Sequence, residues 1–243
     1  MKKMYPFLIS IELVLLAVLL FGGRKACGDK ELVDETLHSV ESDKVEGVQA
    51  ENGAESGAEL KKVALTFDDG PNECYTEELL DGLAMRGVKA TFFLIGKKVE
   101  QNPEIVKRIY EEGHLLGNHS YDHVNLSEMS EKDACEQINK TNDAIKQITG
   151  TAPEYLRPPF GSYKKNLDAE MDMIEVLWDV DPRDWSIKNT GKVVNRVVTK
   201  VEDNDIILLH DEYATSIAAA MEIIDILQGQ GYEFVTVDEL LLE

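Results

Sequence analysis

Val63-Ala64-Leu65-Thr66-Phe67, followed at once by Asp68-Asp69-Gly70-Pro71, is an apolar β-type run that ends in two adjacent carboxylates and a turn. Acidic residues before Gly and Pro commonly do no more than build a turn. Successive side chains leaving a strand also point in different directions, so one aspartate can grip a cation while its neighbour faces an attacking water. Outward from this run, from Lys61 to the C-terminus, short β-type segments alternate with helical patterns. Further strands are expected at Ala90–Ile95, His114–Asn118, Glu154–Arg157, Ile174–Trp178, Asp205–Leu209 and Glu233–Val235. Helices are expected near Thr76–Met85, Pro103–Glu112, Ser127–Thr149, Lys164–Asp172, Gly191–Glu202 and Ala214–Gly229. Strands separated by helices in this way predict an α/β fold with a parallel sheet, open or closed into a barrel.

The chain has 243 residues and a formal charge of −21. Residues 1–27 carry +3, 28–60 carry −8 and 61–243 carry −16. An acidic domain repels phosphate backbones, which argues against nucleic-acid binding and favours a neutral or cationic ligand. Lys2-Lys3 precede an apolar run from Tyr5 to Phe21, broken only by Glu12 and followed by Arg24-Lys25. Residues 1–27 therefore read as a hydrophobic helix, an uncleaved membrane anchor or, alternatively, a cleaved signal peptide, and the domain is expected outside the cytoplasm. Residues 28–60 are acidic and poor in large apolar groups, so they read as a disordered, flexible linker, with the catalytic domain at 61–243. Cys27, Cys74 and Cys135 show no metal-type spacing and receive no role.

The chemistry-bearing residues fall at strand ends: Asp68-Asp69, His119, Arg157, Asp179 and His210-Asp211. Such ends are where α/β barrels and open sheets carry their sites. His119 and His123 have the spacing that sets two imidazoles on one side of a helical turn or of a strand-to-helix junction. Two histidines plus one aspartate leave positions open for water and substrate, as catalytic metal sites require. Arg157-Pro158-Pro159-Phe160-Gly161 joins a cation that can hold a carboxylate to a rigid turn whose amides can face a cleft. In Trp178–Trp185, Trp178 and Asp179 read as structural, whereas Asp184 suits a histidine partner and Trp185 an apolar wall. His210 closes the aliphatic run Ile206–Leu209 and becomes a site candidate because other acid–base groups gather at the same edge.

Thr66–Gly70, His119–His123, Arg157–Gly161, Asp181–Trp185 and Leu208–Asp211 together resemble the five ordered motifs of the polysaccharide deacetylases, carbohydrate esterase family four. The resemblance extends over residues 61–243, including Gly231–Val237, and implies an irregular (β/α) barrel of about seven parallel strands. It implies metal-dependent removal of N-acetyl groups from sugar polymers. Asp69, His119 and His123 would bind a divalent ion, zinc first, with cobalt, nickel or manganese as alternatives. Asp68 would be the general base, held by Arg157, and His210 the general acid, oriented by Asp184. The Phe160 N–H would stabilise the oxyanion, and Trp185 and Leu208 would wall the acetyl pocket. The expected substrate is N-acetylglucosamine in cell-wall peptidoglycan. The alternatives are chitin or chitooligosaccharide, or a surface protein that binds glycan without turnover. A monomer that meets the membrane only through its N-terminal segment is expected.

Overall fold

The computed structural model describes residues 60–162 and 172–241. The N-terminal hydrophobic segment and nearly all of the linker lie outside the described residues, as does the helix expected at Lys164–Asp172 apart from Asp172 itself. The strands are β1 (Lys61–Gly70), β2 (Thr91–Leu94), β3 (Leu115–Asn118), β4 (Tyr155–Leu156), β5 (Ile174–Glu175), β6 (Asp205–His210) and β7 (Tyr232–Val235). All pairings are parallel, in the order β5-β4-β3-β2-β1-β6. The long β1 changes neighbours halfway, pairing with β7 over Lys61–Ala64 and with β2 from Thr66 to Gly70.

The described helices are α1 (Thr76–Arg86), α2 (Gly96–Gln101), α3 (Pro103–Glu111), α4 (Glu131–Thr149), α5 (Asp184–Ile187), α6 (Thr190–Val198), α7 (Ala214–Gly229) and α8 (Val237–Leu241). Three of them, α2, α5 and α8, are too short to leave a periodic signal and are absent from the expectations above. The helix expected from Ser127 begins later. Ser127 belongs to a 3-10 turn capped by Asn125, and the Ser130 side chain accepts the Asp133 N–H to start α4. Gly150, at φ 82, ends α4 in the left-handed conformation that glycine adopts without a Cβ penalty.

The sheet curls because its two edges are joined by one extended stretch. Val176 N–H donates to Leu156 O at 2.8 Å, and farther along Asp179 N–H donates to Ile206 O at 2.9 Å and Leu208 N–H to Val180 O at 3.0 Å. The same chain thus leaves β4 and arrives on β6, closing the irregular barrel expected from the motifs without a full eighth strand. Side-chain alternation along β1 divides the core. Val63, Leu65 and Phe67 pack outward with Leu79, Leu83, Ile109, Ile223 and Leu227 under the helices. Ala64 faces a smaller inner cluster with Phe93, Tyr155 and Ile206. By the same alternation Thr66 and Asp68 point into the barrel, which is how a polar site comes to stand on an apolar strand.

Candidate active site

β1 delivers the two carboxylates in different ways. Asp68 remains in the ladder opposite His210, whereas Asp69 turns to φ 70. His119 follows β3, its backbone N–H bonded to Leu94 O at 2.9 Å, and its Nδ1 lies 2.6 Å from Arg157 O. The spacing of four between His119 and His123 is realised by an irregular turn and not by a helix, with Ser120 at φ 62 and His123 at φ 54. Asn118 holds that turn by accepting the Ser120 N–H at 2.8 Å, and Gln137 of α4 accepts the N–H groups of Tyr121 and Asp122 at 3.1 and 2.8 Å.

Three donor atoms converge. His119 Nε2 and His123 Nε2 lie 3.4 and 3.2 Å from Asp69 Oδ1, and a ligand atom from each of the three residues lies within 4.8 Å of the others. A carbonyl can only accept, so His119 Nδ1 carries a proton toward Arg157 O, and in the neutral ring that tautomer leaves a lone pair on Nε2. Asp69 Oδ1 is buried without a hydrogen-bond partner. With the rings neutral, each Nε2 and Asp69 Oδ1 are electron-rich atoms that repel at this distance unless a cation lies between them, so the residues present fit a divalent ion. Burial would push the Asp69 carboxyl up, but the His119, His123 and His210 rings in their protonated form outweigh it and hold it well below the usual carboxylate range, so the group is a carboxylate whenever an ion could bind. Burial, only partly opposed by Asp69, pushes His123 down toward the neutral form that ligation needs.

The flanking groups are each held by a buried partner. Arg157 is wholly buried, and its Nη1 donates to Asp68 Oδ1 at 2.8 Å and to Thr66 Oγ1 at 2.6 Å. Its Nε and Nη2 donate to Val176 O at 3.2 Å and Leu177 O at 2.9 Å, and the guanidinium lies 4.1 Å from the Phe93 ring centre. Burial pulls Arg157 below its ordinary value, opposed by the Asp68 carboxylate. Across the site, His210 Nδ1 lies 2.8 Å from Asp184 Oδ1, and Asp184 Oδ2 accepts the His210 N–H at 2.9 Å and the Ser216 hydroxyl at 2.6 Å. Burial works against charge on His210, yet the hydrogen bond and charge of Asp184, with Asp68 and Asp69 behind it, raise it to about 9. Its Nε2 is 4.0 Å from Asp69 Oδ2.

Phe160 stands at φ 61, 68% exposed, with its ring 4.9 Å from that of His123, and Trp185, directly after Asp184, is 50% exposed. Leu208 is buried opposite Thr66, on the same face of β6 as His210. Asp179 accepts the Ile206 N–H at 2.9 Å and is structural. The sequence reading missed Ser216, and it gave Thr66 no role although Thr66 stands inside the first motif. Neither residue type is distinctive on its own, and only the folded proximity reveals them.

A carboxylate and a histidine, Asp68 and His210, beside a two-histidine, one-carboxylate group at the carboxyl edge of a parallel sheet suit metal-assisted hydrolysis in geometry. The chain belongs to the polysaccharide deacetylase family, whose model matches residues 56–176. Among its relatives is the peptidoglycan-N-acetylmuramic acid deacetylase PdaC of Bacillus subtilis, 46% identical over 180 residues, or 74% of this chain and 38% of that protein. The solved structure of that peptidoglycan deacetylase matches with a TM-score of 0.73 and 46% identity, covering 75% of this chain and 90% of the solved one. A peptidoglycan-N-acetylglucosamine deacetylase of Bacillus cereus is 39% identical over 186 residues, covering 74% of this chain and 68% of its own length. This chain thus spans about two fifths of PdaC and most of the smaller relative. Among the described residues no helix is long and apolar enough to cross a membrane.

Proposed function

We propose that this chain is a divalent-metal-dependent hydrolase that removes N-acetyl groups from N-acetylglucosamine residues of cell-wall peptidoglycan. The observation that carries the reading is the lone-pair convergence of Asp69, His119 and His123, with Asp68 and His210 on either side. A bound ion, zinc first, would polarise the acetamide carbonyl and make the attacking water more acidic. Asp68 takes the proton from that water. Its Oδ1 is committed to Arg157, which leaves Oδ2, 3.8 Å from His119 Nε2, for the transfer. The new C–O bond creates an oxyanion that accepts a hydrogen bond from the Phe160 N–H. His210 then donates its Nε2 proton to the leaving amine as the C–N bond breaks, giving acetate and a free amino sugar. Asp184 fixes the opposite ring nitrogen and supports the positive charge. Trp185 and Leu208 wall the space for the acetyl methyl.

In this reading residues 1–27 anchor the chain, and 28–60 give the domain reach toward the wall outside the cytoplasm. Chitooligosaccharide is the second substrate reading, favoured by the −16 charge of residues 61–243, which suits a neutral oligomer better than an anionic wall. Acetate release from purified wall glycan and from chitooligomers, measured before and after chelation and with zinc restored, tests both. Glycan binding without acetate release under any divalent metal would replace the enzyme with a non-catalytic binding protein.

A further inference from the structure

Both ligand-bearing loops lean on one short segment, Ile95–Lys98, where β2 gives way to α2. On one side, Ile95 N–H donates to Gly70 O at 3.0 Å and the Lys98 ammonium to Asp69 O at 2.8 Å. On the other, Gly96 N–H donates to Ser120 O at 3.0 Å and Lys97 N–H to Tyr121 O at 3.1 Å, between the two histidines. The segment is tightly seated: a Cβ on Gly96 would lie 2.5 Å from Thr141 Oγ1 and 2.6 Å from Tyr121 Cδ2. Lys98 also pairs with Glu212, two residues beyond His210, so one ammonium joins the end of β1 to the end of β6. Asp69 stands at φ 70, in the left-handed region that a non-glycine residue adopts uncommonly and that its surroundings must support.

We propose that Lys98 is a positioning residue for the ion site. Through the Asp69 carbonyl it holds Asp69 in the left-handed conformation that carries Oδ1 between the two imidazoles, while the backbone donors of Ile95, Gly96 and Lys97 set the separation of the two loops. The inference rests on reading Asp69, His119 and His123 as the ion-binding group. Lys98 itself bonds to none of the three ligand side chains.

The direction of the effect separates positioning from charge. An ammonium near a cation site repels the ion, so on charge alone Lys98→Met, which leaves Glu212 unpaired, would tighten binding. Positioning requires the opposite. Calorimetric titration of the full chain with zinc ion alone should show Lys98→Met binding about tenfold more weakly, the order seen when groups supporting a metal ligand are lost. The double variant Lys98→Met/Glu212→Gln, which removes both charges and leaves the net charge unchanged, should be weakened to the same degree. Lys98→Arg, which keeps a donor, should retain most of the affinity. Unfolding temperature, read on the metal-free proteins, separates loss of positioning from loss of fold. Zinc binding as tight as wild type in Lys98→Met, or wild-type affinity in the double variant, would overturn the role of Lys98 and leave the ion site standing. Failure of the wild-type chain itself to bind zinc would overturn the ion site and this inference with it.

Discussion

Arg157→Lys isolates what a guanidinium does that a point charge cannot. Arg157 serves four acceptors: Asp68 Oδ1, Thr66 Oγ1, Val176 O and Leu177 O. A lysine ammonium at the position of Nη1 can keep the first two and loses the two carbonyls, which belong to the stretch that closes the barrel. Hydrogen bonds from a charged group contribute about 1.5–3 kcal/mol each, so losing two costs about 3–6 kcal/mol. Loss of the planar contact with Phe93 adds about 1 kcal/mol. With about 2–4 °C per kcal/mol for a domain of this size, these losses of about 4–7 kcal/mol should lower the unfolding temperature by about 8–28 °C. Scanning calorimetry of the chelated protein measures this without a contribution from ion binding. A fall under about 4 °C would show that Val176 O and Leu177 O do not depend on Arg157, and that the stretch closing the barrel is held without it. Because the Asp68 contact survives, turnover should fall less than in Asp68→Asn.

Asp68→Asn should keep metal affinity and lose turnover by a factor of about 10² or more, read by acetate release. His119→Ala should lose metal affinity first, with activity partly restored at high zinc concentration. His210 is raised to about 9 in the metal-free protein, chiefly by the Asp184 hydrogen bond against burial, so the alkaline limb of the rate profile should move down by a unit or more in Asp184→Asn. The linkage has the matching sign: the stability contributed by charged His210 is full below its unfolded value of about 6.5 and is lost as pH rises through about 9.

Strand ends were legible because an apolar run stops where chemistry begins. Asp68, His119, Arg157 and His210 could therefore be placed before any coordinates, and the structure brings all four to one edge. The path between the ligands was not legible. A spacing of four suggests a helical turn or a strand-to-helix junction, and His119 does directly follow β3, but the two rings converge through positive φ at Ser120 and His123 and through backbone N–H groups accepted by Asn118 and Gln137, neither of which carries a local signal. The supporting residues were equally silent. Ser216 reaches Asp184 from α7, and Lys98 reaches Asp69 from α2, so each acts only through tertiary contact. The short helices α2, α5 and α8 escaped for a related reason, since fewer than two turns give periodicity too little length to register.

The placement of Asp68 and His210, the proposed base and acid, reduces to the register of one strand pair. Parallel neighbours lie about 4.8 Å apart, and the pairing of Asp68 with His210 puts the two side chains on adjacent strands facing the same interior. A slip of one residue would turn one of them outward among the aliphatic side chains under the helices. The Thr66 hydroxyl opposes that slip by donating to Ile207 O at 2.8 Å while accepting from Arg157 Nη1 at 2.6 Å. The residue that fixes how β1 lies against β6 is therefore the one that helps hold the guanidinium against Asp68. Asp69 escapes this constraint because the register with β2 shifts between Asp68 and Gly70, leaving Asp69 as a bulge residue at φ 70 whose carbonyl is free to accept from Lys98.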